Sequence, residues 1–159
     1  MSGGHDDAGV TSNGGCEARS PEGADEPLVI EQRLEFAFDP RFRRILAALG
    51  IRPNVAWVCV GADLEVRFGR WHVVTPMTNI SSASVAGPYT AAKVLGPHLS
   101  LKDRGVTFGT NADRGVCLTF VDPVVGIDPW GLWHHPNMTI TVANPDEVVE
   151  VFRRGGVDG

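Results

Sequence analysis

The sequence lacks the features that define three classes of protein. It has no apolar run near the ~18–20 residues that a membrane-spanning helix needs. Its first ten residues, MSGGHDDAGV, have neither the basic start nor the apolar stretch of a secretory signal. Its cysteines, Cys16, Cys59 and Cys117, form no CxxC pair and no Cys/His spacing typical of structural zinc. We therefore predict a cytoplasmic protein with no transmembrane segment, no metal, no cofactor and reduced thiols.

The chain also lacks a surplus of basic residues where it is expected to fold. Residues 1–31 contain one basic and seven acidic side chains, whereas residues 32–159 contain thirteen basic and twelve acidic ones. The folded part is therefore nearly neutral and has no long-range field that would attract nucleic acid. We predict no nucleic-acid partner.

The acidic N-terminal segment has almost nothing to bury. Residues 1–27 are mainly Gly, Ser, Asp, Glu, Ala and Pro, a composition that cannot offset the entropy cost of ordering the backbone. We predict a disordered acidic tail over residues 1–27 and a single globular domain over residues 28–159. An acidic interaction tail is the functional alternative for this segment.

A first amphipathic helix is predicted after residue 39. Asp39 can cap it, Pro40 suits the first helical position, and Gly50 supplies a stop. Apolar residues recur with helical spacing along one face. They are Phe42, Ile45, Leu46 and Leu49.

A second helix is predicted at the end of the chain. Asn144 can cap it, Pro145 starts it, and Gly155 ends it. Acidic residues in the first turn and basic residues in the last turn complement the helix dipole. Its predicted apolar face contains Val148, Val149, Val151 and Phe152.

Between the helices, apolar residues follow the period of two that is typical of strands. Strands are predicted at residues 34–38, 55–60, 64–68, 71–75, 79–85, 106–108, 116–121 and 138–142. The order predicts a mainly β (α+β) fold, either a small antiparallel barrel or a sandwich of about seven strands, capped by the C-terminal helix. The strand and helix at residues 34–49 are an N-terminal addition.

The order of about seven strands and a terminal helix, with a meander through VRFGRWHVVTPMTNISSASV, resembles the bacterial members of the pleckstrin-homology-like superfold. The resemblance covers residues 55–154. It implies a domain that binds phosphoinositides, peptides or partner proteins and is seldom an enzyme. Members that bind phosphoinositides carry a basic pair between their first two strands, whereas residues 61–63 here contain no lysine or arginine. Headgroup binding is therefore not expected.

Two long irregular stretches, residues 87–104 and 122–137, are where we expect contact with a ligand or partner. Long loops in compact domains are more often functional than short turns, and these two hold side chains suited to recognition. The candidate contact residues are Tyr89, Lys93, His98, Arg104, Trp130, Trp133, His134 and His135. The structural alternatives are solvated loop charges and, for the two tryptophans, a lid packed over the end of the fold.

We therefore predict a non-catalytic binding or interaction module whose ligand is an unknown protein or small molecule; a homodimer is left open. The alternative is a small enzyme that uses His98, Arg104, His134 or His135 as acid–base groups. Convergence of two of these side chains in one deep cleft would favour the enzyme.

Overall fold

The computed structural model describes residues 31–90, 95–99, 104–126 and 130–158. The predicted acidic tail at residues 1–27 lies outside these ranges. The strands are β1 Gln32–Glu35, β2 Ala56–Val60, β3 Asp63–Phe68, β4 Trp71–Pro76, β5 Ile80–Ala86, β6 Gly96–Leu99, β7 Val106–Gly109, β8 Gly115–Val125 and β9 His134–Ile140. The helices are α1 Arg43–Ala48 and α2 Pro145–Arg154.

The strands form two sheets. One has the order β1-β2-β3-β4, and the other has the order β5-β8-β9-β7-β6. Neighbouring strands are antiparallel except β7 and β9, which are parallel. The sheets do not close into a barrel but are arranged roughly as a sandwich, so the predicted mainly β fold with a C-terminal helix is confirmed and the sandwich is the correct alternative.

The core lies between the sheets and is continuous with the inner side of α2. All five residues of β2 are buried, as expected for the continuous apolar run of a central strand. Three aromatic rings connect the layers at its centre. Phe68 at the end of β3 lies 5.0 Å from Phe36 and 5.1 Å from Phe108 of β7, measured between ring centroids.

Helix α2 matches its predicted bounds, and Val148, Val149 and Phe152 are buried as expected. Asn144 occupies the N-cap position as predicted, but its side chain makes no capping bond to the helix main chain; its Nδ2 donates to Glu147 Oε2 at 3.2 Å.

Helix α1 is shorter than predicted. Asp39 Oδ1 accepts the Arg41 N–H at 2.8 Å, so this carboxylate closes a turn before the helix rather than capping it. Leu46 is buried, but Ile45 and Leu49 are 60% and 53% exposed. The helix contains only Arg43–Ala48, so little of the predicted apolar face reaches the core.

Both predicted long loops contain additional strand. The first includes the edge strand β6, and the second is shortened because β8 extends to Val125 and β9 begins at His134. The pairing of β8 with β9 is irregular between Thr119 and Val124, where Pro123 lies. Prolines at an edge or a bulge do not end a strand, so these elements were missed.

A buried polar network joins the chain after β1 to the five-stranded sheet. Thr141 Oγ1 accepts the Thr110 N–H at 2.8 Å and lies 3.0 Å from Thr110 Oγ1. Thr110 Oγ1 donates to Ala37 O at 2.6 Å, and Asn111 Nδ2 donates to the same carbonyl at 2.9 Å. Each buried polar group in this network therefore has a partner.

We expect Thr141→Val to lower the free energy of unfolding by about 1–3 kcal/mol, because it keeps the shape but leaves the buried Thr110 N–H without an acceptor. Urea denaturation measures the change. Thr119→Val, the same substitution at a half-buried position of β8, is the control and should have a smaller effect. Equal effects of the two variants would show that the network does not stabilise the fold.

Candidate functional site

The β8–β9 hairpin ends in three exposed apolar side chains. Its last paired residues are Val125 and His134, and the connection spans residues 126–133. Trp130, Leu132 and Trp133 are 79%, 75% and 56% exposed. We call these three residues the hairpin tip. Their exposure contradicts the alternative in which the two tryptophans pack as a lid.

The tip lies at the same end of the sheet as the loop that precedes β7, since β7 and β9 run parallel and both begin there. His135 connects the two segments: its Nδ1 lies 2.8 Å from the Arg104 carbonyl oxygen. A carbonyl can only accept, so Nδ1 carries a proton in this bond. Arg104 has a φ of 58°, the left-handed region that is uncommon for residues other than glycine.

His135 and His134 have different environments. His135 is 1% exposed, and its Nε2 is buried without a hydrogen-bond partner. A Cβ atom at Gly126 would lie 2.6 Å from His135 Cδ2, so the imidazole packs directly against this glycine. His134 is exposed. His135 therefore connects the two segments from a buried position, whereas His134 is exposed to solvent.

Tyr89 and His98, two further predicted contact residues, lie elsewhere. The Tyr89 N–H donates to Ala112 O at 2.8 Å, next to the turn between β7 and β8, at the opposite end from the tip. His98 is exposed on the edge strand β6, opposite Thr107 of β7. Lys93 lies outside the described residues.

Tyr89 is half-buried against the five-stranded sheet. Burial, and secondly the nearby Cys117, raise the pKa of Tyr89 to about 12. The hydroxyl lies near Thr139, which lowers the pKa slightly, but it makes no hydrogen bond of good geometry. These surroundings are typical of a packing role rather than of a ligand contact.

A cleft of about 530 Å³ lies at the end opposite to the tip, between the segment after β1, the β7–β8 turn and the start of α2. Its two arginines are already paired: Arg41 with Asp39 at 2.6 Å, and Arg114 with Asp146 at 2.9 Å. The Arg41 hydrogen bonds hold the pKa of Asp39 below its usual value. None of the predicted contact residues lines this cleft.

In the sheets, one prediction about the cysteines is wrong, and one histidine–carboxylate contact was not predicted. Cys59 is disulfide-bonded, so the prediction of reduced thiols is wrong for this residue, whereas Cys117 is free. His72 Nε2 lies 2.6 Å from Glu65 Oε1, a carboxylate partner that the sequence analysis did not identify. The tight turn at Gly69-Arg70 could have revealed it, because that turn fixes the register of β3 and β4.

The described part of the chain contains no group of three or more His, Cys, Asp or Glu residues arranged to hold a metal ion. Over the same residues, no helix is long and apolar enough to cross a membrane. No protein-family model, curated protein or solved structure matches the chain. Its function therefore has to be argued from the described side chains.

Proposed function

We propose that this protein is a non-catalytic interaction module that binds a partner protein through the hairpin tip. The observation that carries the proposal is the exposure of Trp130, Leu132 and Trp133, at 79%, 75% and 56%. Single exposed apolar residues are common on protein surfaces, but three large ones within four positions are a typical interaction site.

These side chains suit binding because they bury a large apolar area. Tryptophan dominates the contact energies of many interfaces, since its ring has few rotamers to freeze and fills pockets well. The tip also has a rigid support. Strands β8 and β9 are paired as far as Val125 and His134, and the bond from His135 to Arg104 connects the tip to the neighbouring loop.

The tip is better suited to a protein than to a small molecule. Small-molecule sites are concave and enclose most of the ligand, whereas these side chains project from the end of a hairpin. A projecting apolar tip fits a pocket on a partner. Arg104 and His134 are exposed on the same end of the sheet and would contribute to the polar rim of such an interface.

The enzyme alternative has less support. His135 is buried, so its imidazole cannot reach a substrate in this conformation, and the adjacent His134 is exposed. The 530 Å³ cleft is lined by none of the histidines proposed as acid–base groups. A proton-transfer mechanism needs such groups within hydrogen-bond reach of one bound molecule.

The test compares three immobilised full-length chains in a lysate of the source cells: the unchanged protein, Trp130→Ala/Trp133→Ala, and Ile45→Ala/Leu49→Ala. The last is the control, because it removes two exposed apolar side chains elsewhere on the surface, Ile45 in α1 and Leu49 directly after it. We expect a protein retained by the unchanged chain and the control to be lost by the tip variant. With that protein purified, the tip substitutions should weaken binding by about 30-fold or more, as for a hot-spot residue.

A second measurement follows the tryptophan fluorescence of the unchanged chain. Burial of the tip by the partner should shift the emission to shorter wavelength. Equal retention by the tip variant would overturn the proposal. A shift of the emission with phosphatidylcholine vesicles and with no protein would also overturn the proposal, because the tip would then bind a membrane.

A further inference from the structure

We propose that the open edge of β4 pairs with β4 of a second copy of this chain, giving a two-fold symmetric dimer with a continuous eight-stranded sheet. Strand β4 is the last strand of the four-stranded sheet. The hairpin tip belongs to the other sheet, so this inference does not depend on the proposed function.

The hydrogen bonds next to β4 show which of its residues face the open edge. The Met77 N–H donates to Ala62 O at 3.0 Å, and the Gly69 N–H donates to Val55 O at 2.8 Å. Main-chain groups in an antiparallel pair alternate in direction along a strand. Odd-numbered residues of β4 therefore bond to β3, and the N–H and C=O groups of His72 and Val74 point away from the sheet.

These outward groups have no protein partner among the described residues. The hydrogen bonds outside the regular ladders do not involve the main chain of His72 or Val74. The two side chains alternate with buried Val73 and Thr75, and Val74 is 54% exposed. No described residue therefore pairs with the main chain of this edge, and the outer face of the strand is exposed at His72 and Val74.

Of the devices that usually prevent pairing, this edge has only a proline at its end. Exposed edges are commonly protected by lysine, other charges, a bulge or proline. Residues 71–76 contain no acidic residue, lysine or arginine, and β3 and β4 pair without a bulge. The one proline, Pro76, is at the very end of the strand.

A two-fold register about Val74 fits a second copy of the chain as the partner. A two-fold axis at Val74 places Val74 opposite its own equivalent and His72 opposite the partner's Pro76. Each outward N–H then has an acceptor: Val74 bonds reciprocally with its equivalent, and His72 donates to the Pro76 carbonyl. Because Pro76 has no N–H, the His72 carbonyl that faces it accepts no hydrogen bond, so this register forms four main-chain hydrogen bonds: two between the Val74 residues and two from His72 to Pro76.

The side chains are compatible with the same register. Val74 meets Val74 across the axis and buries exposed apolar area, and no like charges face each other. The imidazole of His72 is held by Glu65 on the neighbouring strand at 2.6 Å. A two-fold interface of this kind is the commonest symmetry of homo-oligomers.

The association should be weak, because one pair of edge strands buries less than the roughly 1,200 Å² of a standard interface. Light scattering on the full chain, in a concentration series up to about 1 mM, should show the average mass rising from one chain to two. Val74→Lys places like charges opposite each other and should abolish the dimer. Val121→Lys, the same substitution at an exposed valine of β8, should leave it intact.

Hydrogen exchange on the unchanged chain gives a readout that needs no variant. The amides of His72 and Val74 should exchange rapidly when dilute and slowly when concentrated. A cysteine at position 74 tests the proposed register. Val74→Cys should give a disulfide-linked dimer on oxidation, because directly opposed Cα atoms about 5.5 Å apart lie within the range that a disulfide can span. Val121→Cys is the control and should not form this dimer.

A chain that stays monomeric over the whole series would overturn the proposal. Dimers of Val74→Lys, assemblies larger than two chains, or amides protected equally at every concentration would each overturn it as well.

Discussion

Replacement of Phe152 by alanine should lower the free energy of unfolding by about 3–5 kcal/mol. The side chain is fully buried, with 0% of its surface exposed. It lies on the inner face of α2, the helix that packs on β5 and β8. Removing the ring leaves a cavity that the surrounding strands cannot fill. For a domain of ordinary stability, about 5–15 kcal/mol, this is a large fraction of the total.

Urea denaturation followed by circular dichroism measures this loss. Val151→Ala is the matched control on the same helix, because Val151 is only half-buried. We expect a clearly smaller shift of the midpoint for the control than for Phe152→Ala. An unchanged midpoint for Phe152→Ala would mean that α2 does not contribute to the core, and the predicted phase of the helix would be wrong.

The helix that contains Phe152 was predictable because several independent signals agree there. Pro145 and Gly155 define its ends, and the apolar spacing between them has only one helical phase. The central strands were predictable for a related reason. Residues 56–60 are nearly all apolar, and residues 63–68 alternate, so each pattern corresponds to one position in a sheet.

The missed strands have sequences that favour turns. Strand β6 has the sequence GPHL, and the second half of β8 includes Pro123. Glycine and proline normally indicate the end of a strand. An edge strand, however, uses only half of its main-chain N–H groups for pairing, and a bulge uses fewer still, so both tolerate these residues. The neighbours that decide such cases lie outside the strand itself, as in the pairing of His98 with Thr107 of the next strand.

The candidate site was predictable only in part. The sequence identifies aromatic and histidine residues in the segment after β8, but local pattern does not show which of them are exposed. The structure separates neighbours that look alike: His135 is buried, whereas His134 and Trp133 are exposed. That difference depends on the Arg104 carbonyl, which is more than thirty positions away in the chain.

The open edge of β4 shows a different limit. The sequence predicts the strand, but its place at the edge follows from the order of strands in the sheet. The direction of the His72 and Val74 N–H groups, for which no described residue is an acceptor, is then a consequence of register. Sequence patterns report side-chain burial well and main-chain pairing poorly, because every residue except proline has the same main-chain groups.

Phe68→Ala should also lower the free energy of unfolding by about 3–5 kcal/mol, for a reason that concerns both sheets. Phe68 is 0% exposed, and its ring lies between those of Phe36 and Phe108. Phe108 belongs to the five-stranded sheet, whereas Phe68 ends β3 of the other sheet. Removing the middle ring therefore breaks contacts between the layers as well as within one of them.

Denaturant unfolding again measures the effect, and Phe42→Ala is the control, since Phe42 precedes α1 and is only half-buried. We expect Phe68→Ala to shift the midpoint strongly without changing the slope, which would show that stability changed and the unfolded state did not. Because Phe68 lies in the core, where its ring contacts those of Phe36 and Phe108, the folded fraction of this variant should keep the binding that we propose for the hairpin tip. Equal costs for Phe68→Ala and Phe42→Ala would show that the rings do not hold the sheets together, and the packing between the layers would then depend on the aliphatic side chains around them.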